Sequence, residues 1–87
     1  MRSIISVVGK DRPGILAFVA NQCAVNEVNI VDVSQTVMEE MFTMIMVCEI
    51  NQEQFTGFVN LMEEKGKEQN LVIHVMHEDI FNAMHTI

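Results

Sequence analysis

The sequence predicts an α+β fold with the element order βαββαβ and a short C-terminal helix. Short β-branched runs and segments of helical apolar spacing follow one another in that order. The 87 residues, 49% of them hydrophobic, suffice for one core, so residues 1–87 are predicted to form a single domain. This order is typical of the ferredoxin-like arrangement, a four-stranded antiparallel sheet with two helices on one face.

The first strand, loop and helix are predicted from residues 3–25. Residues 3–8 are β-branched and partly alternating, which indicates a strand that ends at Gly9. Pro13 suits the first turn of a helix, where its missing N–H costs nothing, and Asp11 is placed to cap that helix. Apolar residues at helical spacing extend the helix over 13–25: Ile15, Leu16, Val19, Ala20 and Cys23.

Two β-rich runs, residues 28–38 and 42–50, predict a hairpin that turns at Glu39 and Glu40. Both faces of the second run are mostly apolar. We therefore expect it centrally in the sheet or under another subunit.

A second amphipathic helix is predicted over residues 52–68, with Asn51 and Gln54 resembling a capping box. Gly57 and Gly66 each weaken it by about 1 kcal/mol relative to alanine, so tertiary packing must hold it.

The chain ends in a predicted strand and tail helix. Asn70 can adopt the left-handed conformation that ends a helix, and residues 71–76 are the last strand. Asp79 is a candidate cap for a tail helix over 79–87. An apolar stripe marks that helix: Ile80, Phe81, Met84 and Ile87.

Composition excludes several functions. The net charge of −7 and the absence of Trp and Tyr argue against a nucleic-acid partner. The longest apolar run, residues 15–20, is far below the ~20 residues of a membrane span, and no secretory signal is evident, so we expect a cytoplasmic protein without a membrane partner. Cys23 and Cys48 are too few for a disulfide framework and indicate ordinary buried thiols.

No cofactor, metal site or catalysis is expected. His74 and His77 stand three apart beside a strand, so they point to opposite faces. No nucleophile, base and orienting group recur in a recognisable arrangement, and we expect a protein that is not an enzyme.

The apolar content is high for so small a domain, so part of it is expected to meet another chain. We expect this excess in the strand 42–50 and the tail 80–87. The negative charge is expected on the second helix and the hairpin, away from the glycine-containing loop 9–14.

Three other functions on this fold match the sequence poorly. RNA-recognition modules need stacking aromatics on the sheet, and only Phe42 of the five Phe lies in a predicted strand. Metal carriers place a CxxC motif in the first loop, which has no cysteine here. Arg12 and Asn29 superficially fit an acylphosphatase, but the residues around them do not.

The segment 8–17 (VGKDRPGILA), followed by VNI at 28–30, resembles the ACT domain, a small-molecule-binding regulatory module of amino-acid metabolism. Segments 30–36, 42–46 and 77–85 also resemble the stand-alone single-ACT-domain proteins of bacteria and archaea. The resemblance covers essentially the whole chain. One departure is Glu27, where many relatives carry Gly or Asn.

The resemblance implies a homodimer that binds an amino acid where the first loop of one subunit meets the second strand of its neighbour. Carried over, the ligand-binding positions are Asp11, Arg12, Gly14, Ile15, Leu16, Asn29, Ile30 and Val31. Loop 9–14 also suits a carboxylate physically, because a helix start presents free N–H groups and three of the five cations lie within residues 1–12. The competing interpretation is that the loop glycines only make a turn.

The sequence and the resemblance thus predict a non-catalytic regulatory ACT-type protein that senses a small carboxylate, and the candidate ligand is an amino acid. The alternative hypothesis is a structural assembly module that recruits another protein without binding a small ligand.

Overall fold

The fold is a four-stranded antiparallel sheet in the order β2-β3-β1-β4. A computed structural model describes residues 1–84. Its elements are β1 (Arg2–Lys10), α1 (Ile15–Val25), β2 (Asn29–Met38), β3 (Met41–Glu49), a 3-10 turn (Gln52–Gln54), α2 (Phe55–Glu68), β4 (Leu71–His77) and α3 (Glu78–Met84). The predicted ferredoxin-like fold is confirmed. The tail helix predicted over 79–87 begins at Glu78, and residues 85–87 lie outside the described residues.

The core lies between α1, α2 and one face of the sheet. Residues at helical spacing on both helices pack against alternate residues of the central strands β1 and β3. The fully buried members are Ile5, Val7, Val19, Cys23, Met44, Met46, Cys48 and Met62. The segment predicted over 42–50 therefore sits centrally, as expected, but only one of its two faces is buried in this core.

The other side of the sheet, which we call the open face, carries no α1 or α2. Ile4 lies on it, because its neighbour Ile5 points into the core, yet Ile4 is only 3% exposed. The C-terminal helix α3 contacts β1 and β4 and accounts for this burial. The open face is therefore covered at one end by α3.

The exposed apolar residues differ from the expectation. The strand 42–50 holds mostly buried side chains. The exposed apolar side chains lie instead in β2, β4 and the hairpin and, as expected, in α3. Exposed large apolar side chains of these elements are Val31, Val33, Val37, Met38, Met41, Val72, Ile80 and Met84. The expectation is wrong for β3 because its alternate residues face the helices, whereas in the edge strand β2 only Ile30 packs against the core.

Three predicted helix caps are wrong. The N-cap of α1 is Gly14 with no side-chain cap, so Asp11 does not cap it. Asn51 makes no side-chain cap, and the backbone N–H of Gln54 donates to its carbonyl instead, forming the 3-10 turn. Asp79 lies inside α3, and its own N–H donates to Nδ1 of His77 at 3.0 Å.

Three non-glycine turn residues among residues 1–84 have left-handed backbones, namely Glu27, Glu39 in the hairpin turn, and Asn70. Asn70, with φ of 58°, ends α2 as predicted. Glu27, with φ of 59°, takes the same conformation before β2. Gly and Asn adopt this conformation at lower cost than Glu does. The left-handed backbone therefore explains why many relatives carry Gly or Asn at the position of Glu27.

Candidate functional site

Loop 9–14 leaves the start of α1 open. Gly14, with φ of 90°, is the N-cap and is solvent-exposed. No side chain caps the helix and no acidic residue lies in its first turn, so its first backbone N–H groups face an approaching acceptor. Ile15 is buried in the core and Leu16 is 40% exposed. Ile15 can therefore offer a ligand its amide but not its side chain.

The loop is anchored to two distant turns. The N–H of Asp11 donates to the carbonyl of Glu40 at 2.7 Å. Nη2 of Arg12 donates to the carbonyl of Gln69 at 2.9 Å and to its Oε1 at 3.3 Å. These bonds fix the loop relative to the hairpin and to the α2–β4 turn.

A shallow pocket of about 280 Å³ lies beside the loop. Its lining combines positively charged, negatively charged and amide side chains. Its lining residues are Lys10, Asp11, Arg12, Gln69 and Asn70. Cations, a carboxylate and amides within one pocket can pair with a ligand that carries both signs of charge. The sequence indicates the loop residues of this pocket. It does not indicate Gln69 and Asn70, because they come from a turn far along the chain. The only sequence signal at that turn is Asn70, a residue that can adopt the left-handed conformation ending a helix.

The predicted strand positions lie elsewhere. Asn29 is exposed and Ile30 is half-buried. Val31, 45% exposed, stands at a β-bulge between Ile30 and Asp32. Bulges often occur next to binding sites, where they change the direction of a side chain.

One chain does not bring the loop and the start of β2 together. The loop follows Lys10, which pairs with Met41 at one end of β3, whereas Asn29 pairs with Glu49 at the other end. At about 3.3 Å per residue, the two ends of this nine-residue strand are roughly 26 Å apart. Arg12 and Asn29 therefore cannot form an acylphosphatase-like cradle within one chain.

The hairpin brings negative charge to the loop, contrary to expectation. Glu39 and Glu40 line a second pocket of about 440 Å³ together with Lys10. The expectation is wrong because it treats the hairpin as remote from the loop. The antiparallel pairing of β1 with β3 places the hairpin turn directly beside residue 11.

The two cysteines form a buried pair between α1 and β3. A hydrogen bond to Cys23 and, secondly, burial raise the pKa of the Cys48 thiol. The same hydrogen bond lowers the pKa of Cys23 against the effect of burial. The hydrogen bond between them thus shifts the pKa values of the two thiols in opposite directions.

Other chemistry is sparse in residues 1–84. His74 pairs with Ser6 and His77 with Ser3, so the two histidines lie on opposite faces as predicted. No three His, Cys, Asp or Glu side chains of this part of the chain are arranged to hold a metal ion. None of its helices has the length and apolar character that a membrane span requires.

Comparisons with known proteins agree with the geometry. A sequence profile of the ACT domain matches residues 2–76. A UPF0237 protein of Listeria innocua is 46% identical over 89 residues, covering 100% of both chains. A UPF0237 protein of Methanosarcina acetivorans is 46% identical, covering 99% of this chain and 96% of that protein. The solved structure of an ACT domain protein from Streptococcus pneumoniae matches with a TM-score of 0.83 and 43% identity, covering 98% of each chain. The predicted resemblance is confirmed, and the chain belongs to the ACT domain family.

Proposed function

We propose that the chain is a non-catalytic, cytoplasmic regulatory protein that binds an amino acid between loop 9–14 of one copy and the start of β2 in a second copy. The observation that carries the proposal is the uncapped start of α1 at Gly14, which follows the cation Arg12 by two residues in the loop. A helix start with free N–H groups and an adjacent cation attracts a carboxylate.

The charges beside the loop suit both ends of an amino acid. The α-carboxylate would accept hydrogen bonds from the first amides of α1 and from Arg12. The ammonium group needs acceptors, which the carboxylate of Asp11 and the carbonyl of Asn29 in the second copy would supply. Gly14 has no neighbouring atom within 4 Å of the Cβ position, so a ligand has room to approach the backbone there.

The requirement for two copies follows from the separation of the two segments. β2 is an edge strand, and nearly all of its residues are exposed. An edge of this length is a template for pairing with another strand. Pairing two copies through this edge would bring one copy's β2 within reach of the other copy's loop.

A thermal-shift screen of the twenty amino acids tests the proposal. A ligand at a hundredfold excess over its dissociation constant stabilises the folded state by about 2.7 kcal/mol, equivalent to a melting shift on the order of ten degrees. Arg12→Ala should weaken binding by about 2 kcal/mol, because a charged hydrogen bond is lost. Lys67→Ala removes an exposed cation of α2, leaves the loop intact, and should retain the full shift.

The outcome also separates the two hypotheses. If no amino acid shifts the melting temperature at millimolar concentration, the amino-acid proposal fails. A stoichiometric protein partner captured equally by the wild type and by Arg12→Ala would then favour the assembly module, whose supporting observation is the exposed apolar surface of β2 and the hairpin.

A further inference from the structure

We propose that the pocket of about 440 Å³ at the hairpin, which we call the hairpin pocket, binds an aromatic amine. The ammonium group of the ligand pairs with the carboxylates of Glu39 and Glu40, and its ring lies on Met38, Met41 and Val72. None of these residues belongs to the proposed amino-acid site, so the two proposals are independent.

The floor of the hairpin pocket is apolar and comes from all four strands. Its side chains are Val8 of β1, Met38 of β2, Met41 of β3 and Val72 of β4. Met38, Met41 and Val72 are 70%, 53% and 57% exposed, so a ligand can reach them. Small-molecule sites are typically concave, about 300–1,000 Å³ in volume, and combine apolar walls with a few polar groups. The hairpin pocket has the size and the lining of such a site.

The rim of the hairpin pocket carries more negative than positive charge. Glu39 and Glu40 contribute two carboxylates and Lys10 contributes one ammonium group. The structure shows no ion pair between Lys10 and either carboxylate, and all three residues lie within the described range 1–84. Lys10 can offset one carboxylate at most, so the rim keeps an excess negative charge. A ligand with a cationic group is complementary to this rim, and the net charge of −7 attracts such a ligand from solution.

The two methionines favour an aromatic body for the ligand. A thioether sulfur is polarisable and packs favourably against the edge of an aromatic ring. Met38 and Met41 are opposite each other in the register of β2 and β3, and the two glutamates lie between them in the chain. A ring on the methionines and an ammonium group at the carboxylates therefore need only a short connecting chain. The ligand class is an aromatic ring with an ammonium group on such a chain.

The backbone of Glu39 provides a variant that should fold well. Its φ of 59° lies in the left-handed region, which Gly or Asn adopts more readily in a two-residue hairpin turn. Glu39→Gly removes a rim carboxylate and relieves this backbone at the same time. A loss of ligand affinity in this variant is therefore not a result of misfolding.

NMR of the methionine methyl groups tests the site with 2-phenylethylamine as the probe. The methyl signals of Met38 and Met41 should shift on titration, whereas those of Met44 and Met46, buried in the core on the other face of the sheet, should not. A dissociation constant of about 10 mM or tighter is expected for a ligand of this size. The uncharged 2-phenylethanol should bind about fivefold more weakly, and the anion phenylacetate more weakly still. High salt should reduce the advantage of the amine over the alcohol.

Two glycine variants separate ligand binding from stability. Glu39→Gly should raise the melting temperature and weaken binding of 2-phenylethylamine about fivefold, because a carboxylate is lost. Glu27→Gly is the matched control, since Glu27 also has a φ of 59° but does not line the hairpin pocket. It should raise the melting temperature and keep the affinity for the amine.

The proposal is overturned if the signals of Met38 and Met41 do not shift, if 2-phenylethanol or phenylacetate binds as tightly as the amine, or if Glu39→Gly binds the amine like the wild type. Loss of amine binding in Arg12→Ala would also overturn it, because the amine would then occupy the amino-acid site. An amino-acid thermal shift retained in Glu39→Gly supports the proposed function whatever the amine does.

Discussion

Replacing Gly66 by alanine should have two opposing effects on stability, overpacking against β4 and a gain in helix propensity. Gly66 is buried where α2 crosses β4, and a Cβ there would lie 2.9 Å from the carbonyl oxygen of Leu71 and 2.9 Å from Cγ1 of Ile73. Overpacking of this kind costs about 1–3 kcal/mol, while alanine returns about 1 kcal/mol of helix propensity. We expect Gly66→Ala to lower the free energy of unfolding by about 1 kcal/mol.

Gly57 is the matched control in the same helix. It is exposed, and nothing lies within 4 Å of its Cβ position. Gly57→Ala should therefore raise the free energy of unfolding by about 1 kcal/mol. The two variants then differ by about 2 kcal/mol, or roughly 8 to 16 °C in melting temperature. Urea unfolding at one protein concentration measures both, and a Gly66→Ala variant as stable as Gly57→Ala would refute the packing of α2 on β4 described above.

Three further predictions concern single positions. Glu27→Gly should raise the free energy of unfolding by about 1 kcal/mol in urea titrations, because glycine relieves the left-handed backbone, and a loss of stability would contradict this. Ser3→Ala should be stabilising by about 1 kcal/mol in the same assay, since the buried hydroxyl of Ser3 has no hydrogen-bond partner among residues 1–84. The raised pKa of Cys48 means that, above the ordinary thiol pKa of about 8.5, the unfolded chain loses a proton that the folded chain keeps. Stability should then fall as the pH rises above about 8.5, and Cys48→Ala should show a shallower fall between about pH 8.5 and 10.

The order of elements could be predicted because burial repeats with the period of each element. Cys23 stands one helical turn from Val19, and Met62 one turn from Phe58; all four are buried. Met44 and Met46 alternate in β3 and point into the same core. Local periodicity is retained in the fold because each element buries one face.

Helix caps and the surroundings of the loop could not be predicted in the same way. The N–H of Asp11 bonds to Glu40, and Arg12 bonds to Gln69, so the partners come from turns remote in sequence. Their proximity depends on the strand register, which composition and spacing do not specify. The sequence therefore indicates the loop residues but not the residues that complete their pocket.

The position of loop 9–14 and Asn29 at opposite ends of β3 has a consequence for dose response. A ligand that touches both must be held by two chains, so its binding is coupled to their encounter. Its half-saturation point should then fall as the protein itself becomes more abundant. Such a protein would respond to the product of metabolite level and its own expression, rather than to the metabolite alone.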